Sequence, residues 1–310
     1  EAYPVDWAEV MNNLGGAYLG RVQGERAQNV DMAIDTYRQA LQVRTRESMP
    51  VEWAISMINL AGAYYSRRQG ERAQNIEEAI DAYHQALQVT TQETMPIEWA
   101  GVMTDLANAY AERTQGNRAQ NIEEAINAYH QALKVITQRT TPIKWASATR
   151  KLADAYIYRI LGDRAQNIEA AITAYHQASQ IITQEAMHVE WVLLMTNLAH
   201  AYYSRIRGDR AQNIENAIDA FQESLQVITR DEMPIEWAQV TMNLADAYTE
   251  RIRGDRAQNI EKAIDAYHES LQVRTREVMP TQWEQTMRHL AMTKEERNQG
   301  DREQKIEMAI

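Results

Sequence analysis

Residues 50–95 read PVEWAISMINLAGAYYSRRQGERAQNIEEAIDAYHQALQVTTQETM, and a shift of 46 residues returns most of the same string. The tryptophans make the period plain. Trp7, Trp53, Trp99, Trp145, Trp191, Trp237 and Trp283 all fall on one column. Self-similarity at a fixed period of about 20–50 residues marks a stacked array of supersecondary units. Six full units occupy 4–49, 50–95, 96–141, 142–187, 188–233 and 234–279, and a partial seventh covers 280–310. Each unit in such an array leans on its neighbours, so one elongated body is expected over 1–310.

Within a unit the pattern predicts two helices. The first follows a proline (Pro4, Pro50, Pro96, Pro142, Pro234, Pro280), a residue suited to the first helical position because its missing N–H is not needed there. Trp53, Met57, Leu60, Ala61 and Tyr64 then share one helical face. An arginine and a glycine close it, in a column that runs from Arg21 and Gly24 to Arg297 and Gly300. The second helix is predicted from Asn75, with Asn75 and Glu78 as an N-x-x-E capping box. Ile76, Ala79, Ile80, Tyr83, Ala86 and Leu87 form its apolar stripe. Neither stripe can be buried alone. Stacking buries both, which predicts an all-α solenoid superhelix of antiparallel helix pairs, about 14 helices in all.

Composition narrows the functional classes. The chain has 45% hydrophobic residues, no cysteine and a net charge of −11. An acidic surface argues against nonspecific nucleic-acid binding, which uses a basic face. No apolar run reaches the ~18 residues of a membrane span, and no signal peptide opens the chain, so a cytoplasmic location with no membrane partner is expected. The chain starts at Glu1 and stops mid-motif at Ile310; an excised piece of a longer array is expected.

Leu60-Ala61 and Tyr64, followed by Ala79, Tyr83 and Ala86, resemble the tetratricopeptide repeat pattern, as do Leu14-Gly15 and Tyr18 with Ala33, Tyr37 and Ala40. The resemblance spans nearly the whole chain. The period of 46 exceeds the family's usual ~34, which implies longer helices and a longer G-[D/E]-R-A-Q-N connector. The unit is also similar to long repeats in bacterial proteins that carry caspase-like protease or signalling-ATPase modules. The resemblance implies a right-handed superhelix whose first helices line a concave groove.

Comparing the seven units places most of the variation on one stripe of the first helix. The candidate groove residues are Ile55, Ile58, Tyr65, Asn108, Glu112, Arg150, Asp154, Ile157, Tyr158, His200, Tyr203, Met242, Asp246 and Arg288. Steps of three and four put them on one face. Mixed aromatic, basic and acidic side chains suit recognition of a peptide or protein segment. The other reading of the same variation is tolerant, solvent-facing sites.

Other signals point to structure. His84, His130, His176 and His268 share a column, but equivalent residues of stacked units sit on the order of 10 Å apart, too far to share a metal ion. The tryptophans fall in phase with the core stripe. The repeated G-[D/E]-R-A-Q-N turn lacks a P-loop's Gly-Lys-Ser/Thr, so Arg72 and Gln74 are expected to serve helix-end carbonyls or the preceding acid. No nucleophile–base constellation stands out, so neither an enzyme nor a cofactor is expected. In the last unit Glu284, Lys294, Glu303 and Lys305 replace Ala, Tyr, Ala and Asn, which fits either a polar capping unit or a degenerate repeat. Two functional readings result: a noncatalytic scaffold for a peptide or protein partner, or an architectural arm that self-associates end to end.

Overall fold

The computed structural model describes residues 3–307, with side chains through Gly300. Among the described residues every regular element is an α-helix, and there are thirteen of them. They are α1 (Pro4–Gly20), α2 (Arg26–Leu41), α3 (Pro50–Ser66), α4 (Arg72–Ala86), α5 (Pro96–Glu112), α6 (Arg118–Ala132), α7 (Pro142–Tyr158), α8 (Arg164–Ser179), α9 (His188–Tyr203), α10 (Arg210–Val227), α11 (Pro234–Thr249), α12 (Arg256–Leu271) and α13 (Pro280–Glu307). The chain forms two compact units, one ending at Leu161 and the other beginning at Gly162.

In the first unit α1 pairs with α2, α3 with α4 and α5 with α6, and each second helix also packs on the first helix of the next repeat. The second unit repeats the scheme with α9/α10, α11/α12 and the terminal α13. In the first unit, α1, α3, α5 and α7 touch one another in succession, as α11 and α13 do in the second. Among the described residues the second helices make no comparable contacts. In the first unit the more closely spaced row lies on the inside of a bend, so the first helices form its inner face, and α11 with α13 shows the same spacing in the second.

The helix starts are over-determined. Ahead of each new repeat stands a threonine (Thr45, Thr91, Thr137, Thr183, Thr229, Thr275). The carbonyl of Thr91 accepts Met95 N at 2.9 Å and its hydroxyl accepts Thr94 N at 3.2 Å. The Met95 carbonyl then accepts Trp99 N at 2.8 Å. His188 replaces the proline in the fifth unit, yet α9 starts in register, because the threonine turn at Thr183 is retained, with Met187 N on the Thr183 carbonyl at 3.0 Å.

The second helices start three residues before the sequence expectation. Asn75 does not cap α4. It lies one turn inside the helix and is buried, and its Nδ2 donates back to the carbonyls of Arg67 (3.3 Å) and Gln69 (2.9 Å). The cap is the acid or amide four residues upstream of that asparagine. Asn117, Asp163, Asp209 and Asp255 each accept a backbone N–H from the helix, whereas Glu25 and Glu71 make no such bond. The short side chains reach the helix-end amides, and the buried asparagine ties down the turn. The turn itself needs the left-handed region, and Gly70 supplies it at φ +73°. Arg72 serves carbonyls as expected, those of Tyr65 and Arg67, but Gln74 bonds to Glu78 instead.

The last unit departs from the pattern. The Arg297 and Gly300 stop signal does not end α13, which runs on to Glu307, so there are thirteen described helices where about 14 were expected. The residue that ties the turn elsewhere is an asparagine, and its counterpart here is Lys305, which has no amide in register to gather the turn's carbonyls. Of the substitutions expected to cap the array, Glu303 and Lys305 have side chains outside the described residues.

The core is built from alanine holes and large knobs. Ala79 and Ala61 are fully buried between paired helices, with Tyr83 and Ile80 packed into the same cluster. Each large apolar side chain so buried contributes about 1.5–3 kcal/mol. The tryptophans were expected in this core, but all seven are only partly buried. Trp53, Trp99, Trp191 and Trp237 pack against its edge, while the alanine that follows each of Trp7, Trp53, Trp99, Trp145 and Trp237 takes the fully buried position.

Two polar ladders join one repeat to the next. The arginine after each first helix grips an acid of the preceding second helix, as in Arg113 with Glu77 at 2.8 and 2.7 Å and Arg251 with Glu215 at 2.9 and 2.7 Å. The first-helix tyrosine meets the histidine column. His84–Tyr110, His130–Tyr156 and His176–Tyr202 are hydrogen-bonded at 2.8, 2.8 and 2.7 Å and stack edge-on. Arg38 and Gln222 take the histidine's place opposite Tyr64 and Tyr248.

Candidate functional site: the first-helix face

In the first unit, Ile55, Ile58, Tyr65, Asn108, Glu112, Arg150, Asp154, Ile157 and Tyr158 lie on the inner row. Tyr158 is 65% exposed and Ile55 39%. Several of the others are engaged with each other. The Tyr65 hydroxyl donates to Glu112 of the next repeat. Arg72 reaches the other Glu112 oxygen at 2.5 Å, and its guanidinium lies 5.0 Å from the Tyr65 ring centre. Burial, then the bond to Glu112, pushes the Tyr65 phenol up. Burial would also raise Glu112, but the bonds from Tyr65 and Arg72 outweigh it and hold the carboxyl below its ordinary value. Asn108 accepts from the Tyr129 hydroxyl at 2.6 Å, and Arg150 pairs with Asp154 at 2.9 Å.

The second unit rebuilds the same clasp from different positions in the array. Tyr203 donates to Glu250 at 2.8 Å, Arg210 holds the same carboxylate, and its guanidinium sits 5.3 Å from the Tyr203 ring centre. His200 bonds to Asn243 at 2.8 Å and meets Phe221 edge-on at 5.3 Å. Burial lowers the His200 pKa. Phe221 is the only phenylalanine in the chain. It stands where other repeats place a tyrosine whose hydroxyl meets Asn108 or Asp246. Asp246 accepts from Tyr267 at 2.5 Å and from His289 at 2.7 Å through the same oxygen. Arg288 is exposed and reaches Glu284 at 3.4 Å within its own helix.

Met242 does not reach this face. It is 1% exposed, and its sulfur accepts from the buried Arg274 guanidinium at 2.7 Å. Arg274 also donates to Thr286 at 3.2 Å and to Gln239. A polar group from the turn after α12 thus meets the thioether in the interior, which first-helix periodicity cannot reveal.

One recess beside the first helices of the second unit, of about 220 Å³, is lined by Tyr203, Asp246, Thr249, Glu250, Tyr267, His289, Met292 and Thr293. Its two carboxylates give it acidic character, and the 65%-exposed Met292 adds an apolar lip. Among the described residues the Asp246–His289 pair bonds no serine or threonine hydroxyl. The nearby Thr293 hydroxyl donates to the carbonyl of its own helix at 2.9 Å. Among the described residues no cluster of three or more potential metal ligands occurs, and no helix is long and apolar enough to cross a membrane.

Three solved structures share this architecture. The APC/C hetero-tetramer Cut9–Hcn1 aligns with a TM-score of 0.58 at 15% identity over 94% of this chain and 49% of that one. The assembly chaperone of RpL4, Acl4, gives 0.57 at 13% identity over 96% and 99%. The apo form of RapI gives 0.52 at 13% identity over 87% and 84%. This chain therefore spans about half the length of the first of them. No protein-family model and no curated sequence matches it. The fold is a tetratricopeptide-like α-solenoid of paired helices.

Proposed function

We propose that this chain is a noncatalytic scaffold that holds a peptide or protein segment against the first-helix face. The observation that carries the reading is the recess between Asp246, Glu250 and Met292, with the exposed Tyr158 and Ile55 on the same row of the other unit. Acidic groups beside an apolar lip suit a segment that mixes basic and apolar side chains. Two fold neighbours bear names of protein assemblies, a hetero-tetramer and an assembly chaperone of RpL4, which supports a protein partner over a small molecule.

The second reading is an architectural arm with no separate ligand. The internal pairing of Tyr65 with Glu112 and of Tyr203 with Glu250 favours it, because side chains engaged with each other offer less to a partner. Selection from a displayed random-peptide library separates the two. The scaffold reading expects enriched peptides whose binding falls at least tenfold with Tyr158→Ala or with Met292→Ala plus Glu250→Gln. An empty selection, or peptides indifferent to both sets, would favour the arm.

A further inference from the structure

In the recess of the second unit most polar side chains are already spent. Tyr203 and Arg210 take the two oxygens of Glu250. The Thr249 and Thr293 hydroxyls donate to the carbonyls of Ala245 at 3.1 Å and His289 at 2.9 Å. Tyr267 and Nδ1 of His289 both bond Oδ1 of Asp246. Among the described residues two lining side-chain atoms are left over, Oδ2 of Asp246 and Nε2 of His289. Both are acceptors. A carboxylate oxygen only accepts, so His289 carries a proton on Nδ1, and the neutral ring presents Nε2 as a lone pair.

The charge of Asp246 is also left standing. Asp154 occupies the same column of an earlier repeat and has Arg150 one turn back, at 2.9 Å. Asp246 has Met242 in that place. The buried Arg274 feels the carboxylate's charge but donates to Met242, Thr286 and Gln239. Arg210 is committed to Glu250. Among the described residues no arginine or lysine pairs with Asp246.

Building on the scaffold reading above, we propose that the recess seats a lysine side chain of the bound segment. An ammonium donates three hydrogen bonds and accepts none, which suits two bare acceptors beside an unneutralised carboxylate. A guanidinium fits less well. Its fork is matched to both oxygens of a carboxylate, and Oδ1 here is filled twice. A peptide's terminal ammonium lacks the alkyl stem that the Tyr203 and Met292 side chains of the recess can cover.

The test titrates the full chain, methyl-labelled at its methionines, with Nα-acetyl-lysine methylamide, and follows the Met292 signal assigned through Met292→Leu. Saturable movement is expected, with a Kd on the order of 1–10 mM for a lone side chain. At matched ionic strength the arginine analogue should bind more weakly. The norleucine analogue, and glycine methylamide with only a terminal ammonium, should bind at least tenfold more weakly. Asp246→Asn keeps an oxygen for Tyr267 and His289 while removing the charge. It should weaken the lysine analogue at least tenfold and leave the methionine signals outside the recess in place. A lysine analogue that does not saturate, or that the arginine or norleucine analogue equals, overturns the inference without any variant. Equal binding by an Asp246→Asn chain overturns it too. Selected peptides that need Met292 and Glu250 but accept norleucine at every lysine would keep the scaffold reading and sink this one. A saturable, Asp246-dependent lysine response beside an empty peptide selection would support the lysine seat and remove the extended segment.

Discussion

Gly15→Ala is a substitution whose sign depends on a neighbour. Gly15 is buried in α1, and a Cβ there would stand 2.6 and 2.8 Å from Cε1 and Cζ of Tyr37 and 2.9 Å from Oγ1 of Thr36. The next repeats carry alanine at this position, as in Ala61 and Ala107, fully buried without difficulty. They also carry alanine in place of Thr36, as in Ala82 and Ala128. The Thr36 hydroxyl is held by the carbonyls of Met32 (3.0 Å) and Ala33 (2.9 Å), so it cannot swing aside. Replacing a mid-helix glycine with alanine gains about 0.5–1 kcal/mol, while forcing a methyl into a filled site costs about 1–3 kcal/mol. The net effect in the native background is a loss of up to about 2.5 kcal/mol. In a Thr36→Ala background the same change should gain about 0.5–1 kcal/mol. Repeat arrays open locally, so the readout is native-state hydrogen exchange of the α1 and α2 amides rather than a single global midpoint. If Gly15→Ala stabilises both backgrounds equally, with a coupling below about 0.5 kcal/mol, the packing argument fails.

Four further outcomes follow from the geometry. Asp209→Ala should cost about 0.5–2 kcal/mol by removing the cap on Gln212 N, and Glu71→Asp should stabilise α4, both read by exchange at the helix starts. Asn121→Ala removes the 3.2 and 2.8 Å bonds to the Arg113 and Gln115 carbonyls; a loss of about 1–3 kcal/mol is expected, and an exchange-neutral variant would contradict the turn-tying role. Burial holds His130 and His176 below the ordinary histidine value. The unfolded chain, at about 6.5, therefore binds protons more readily. The stability this confers is full above that pH and is lost as pH falls below it. His130→Gln with His176→Gln, which copies the Gln222–Tyr248 bond, should flatten the fall in Tm between about pH 7.5 and 5.5; an unchanged slope would assign it to other groups.

The fold was legible because burial obeys the period. The stripes through Met57, Leu60, Ala61 and Tyr64, and through Ile76, Ala79, Ile80 and Tyr83, are the buried ones. The second-helix start is easily misread because Asn75 has the chemistry of a cap and sits ahead of an apolar run, yet uses its amide as a donor to the turn behind it. The threonine column from Thr45 to Thr275 is a signal that the helical stripes overshadow. Its hydroxyl and carbonyl set the entry to every first helix that follows, including the one at His188 that lacks proline. The tryptophans reach only the core's edge because the neighbouring alanine, Ala54 for example, takes the close-packed position.

The inner face was harder to read because variation alone does not distinguish an open site from a coupled one. Read singly, the columns that give Tyr65, Glu112, Tyr203 and Glu250 look like free choices. Read as pairs across a repeat boundary, they are joint choices: tyrosine on one first helix goes with glutamate on the next, and an arginine from the connector closes both clasps. The same logic joins His200 to Phe221 and Gly15 to Thr36. It also joins the buried Arg44 to Ser56 at 3.1 Å and Arg274 to Thr286, where the intervening repeats set Thr90 or isoleucine against apolar residues. A hydroxyl is needed only where a guanidinium is buried, and a phenol is dispensable only where an imidazole replaces its partner. Neighbouring repeats are thus fitted to one another in order, so transposing two of them would strand a buried arginine or an acid without its clasp. On this face the side chains that no neighbour has claimed include Tyr158 and Met292, each 65% exposed.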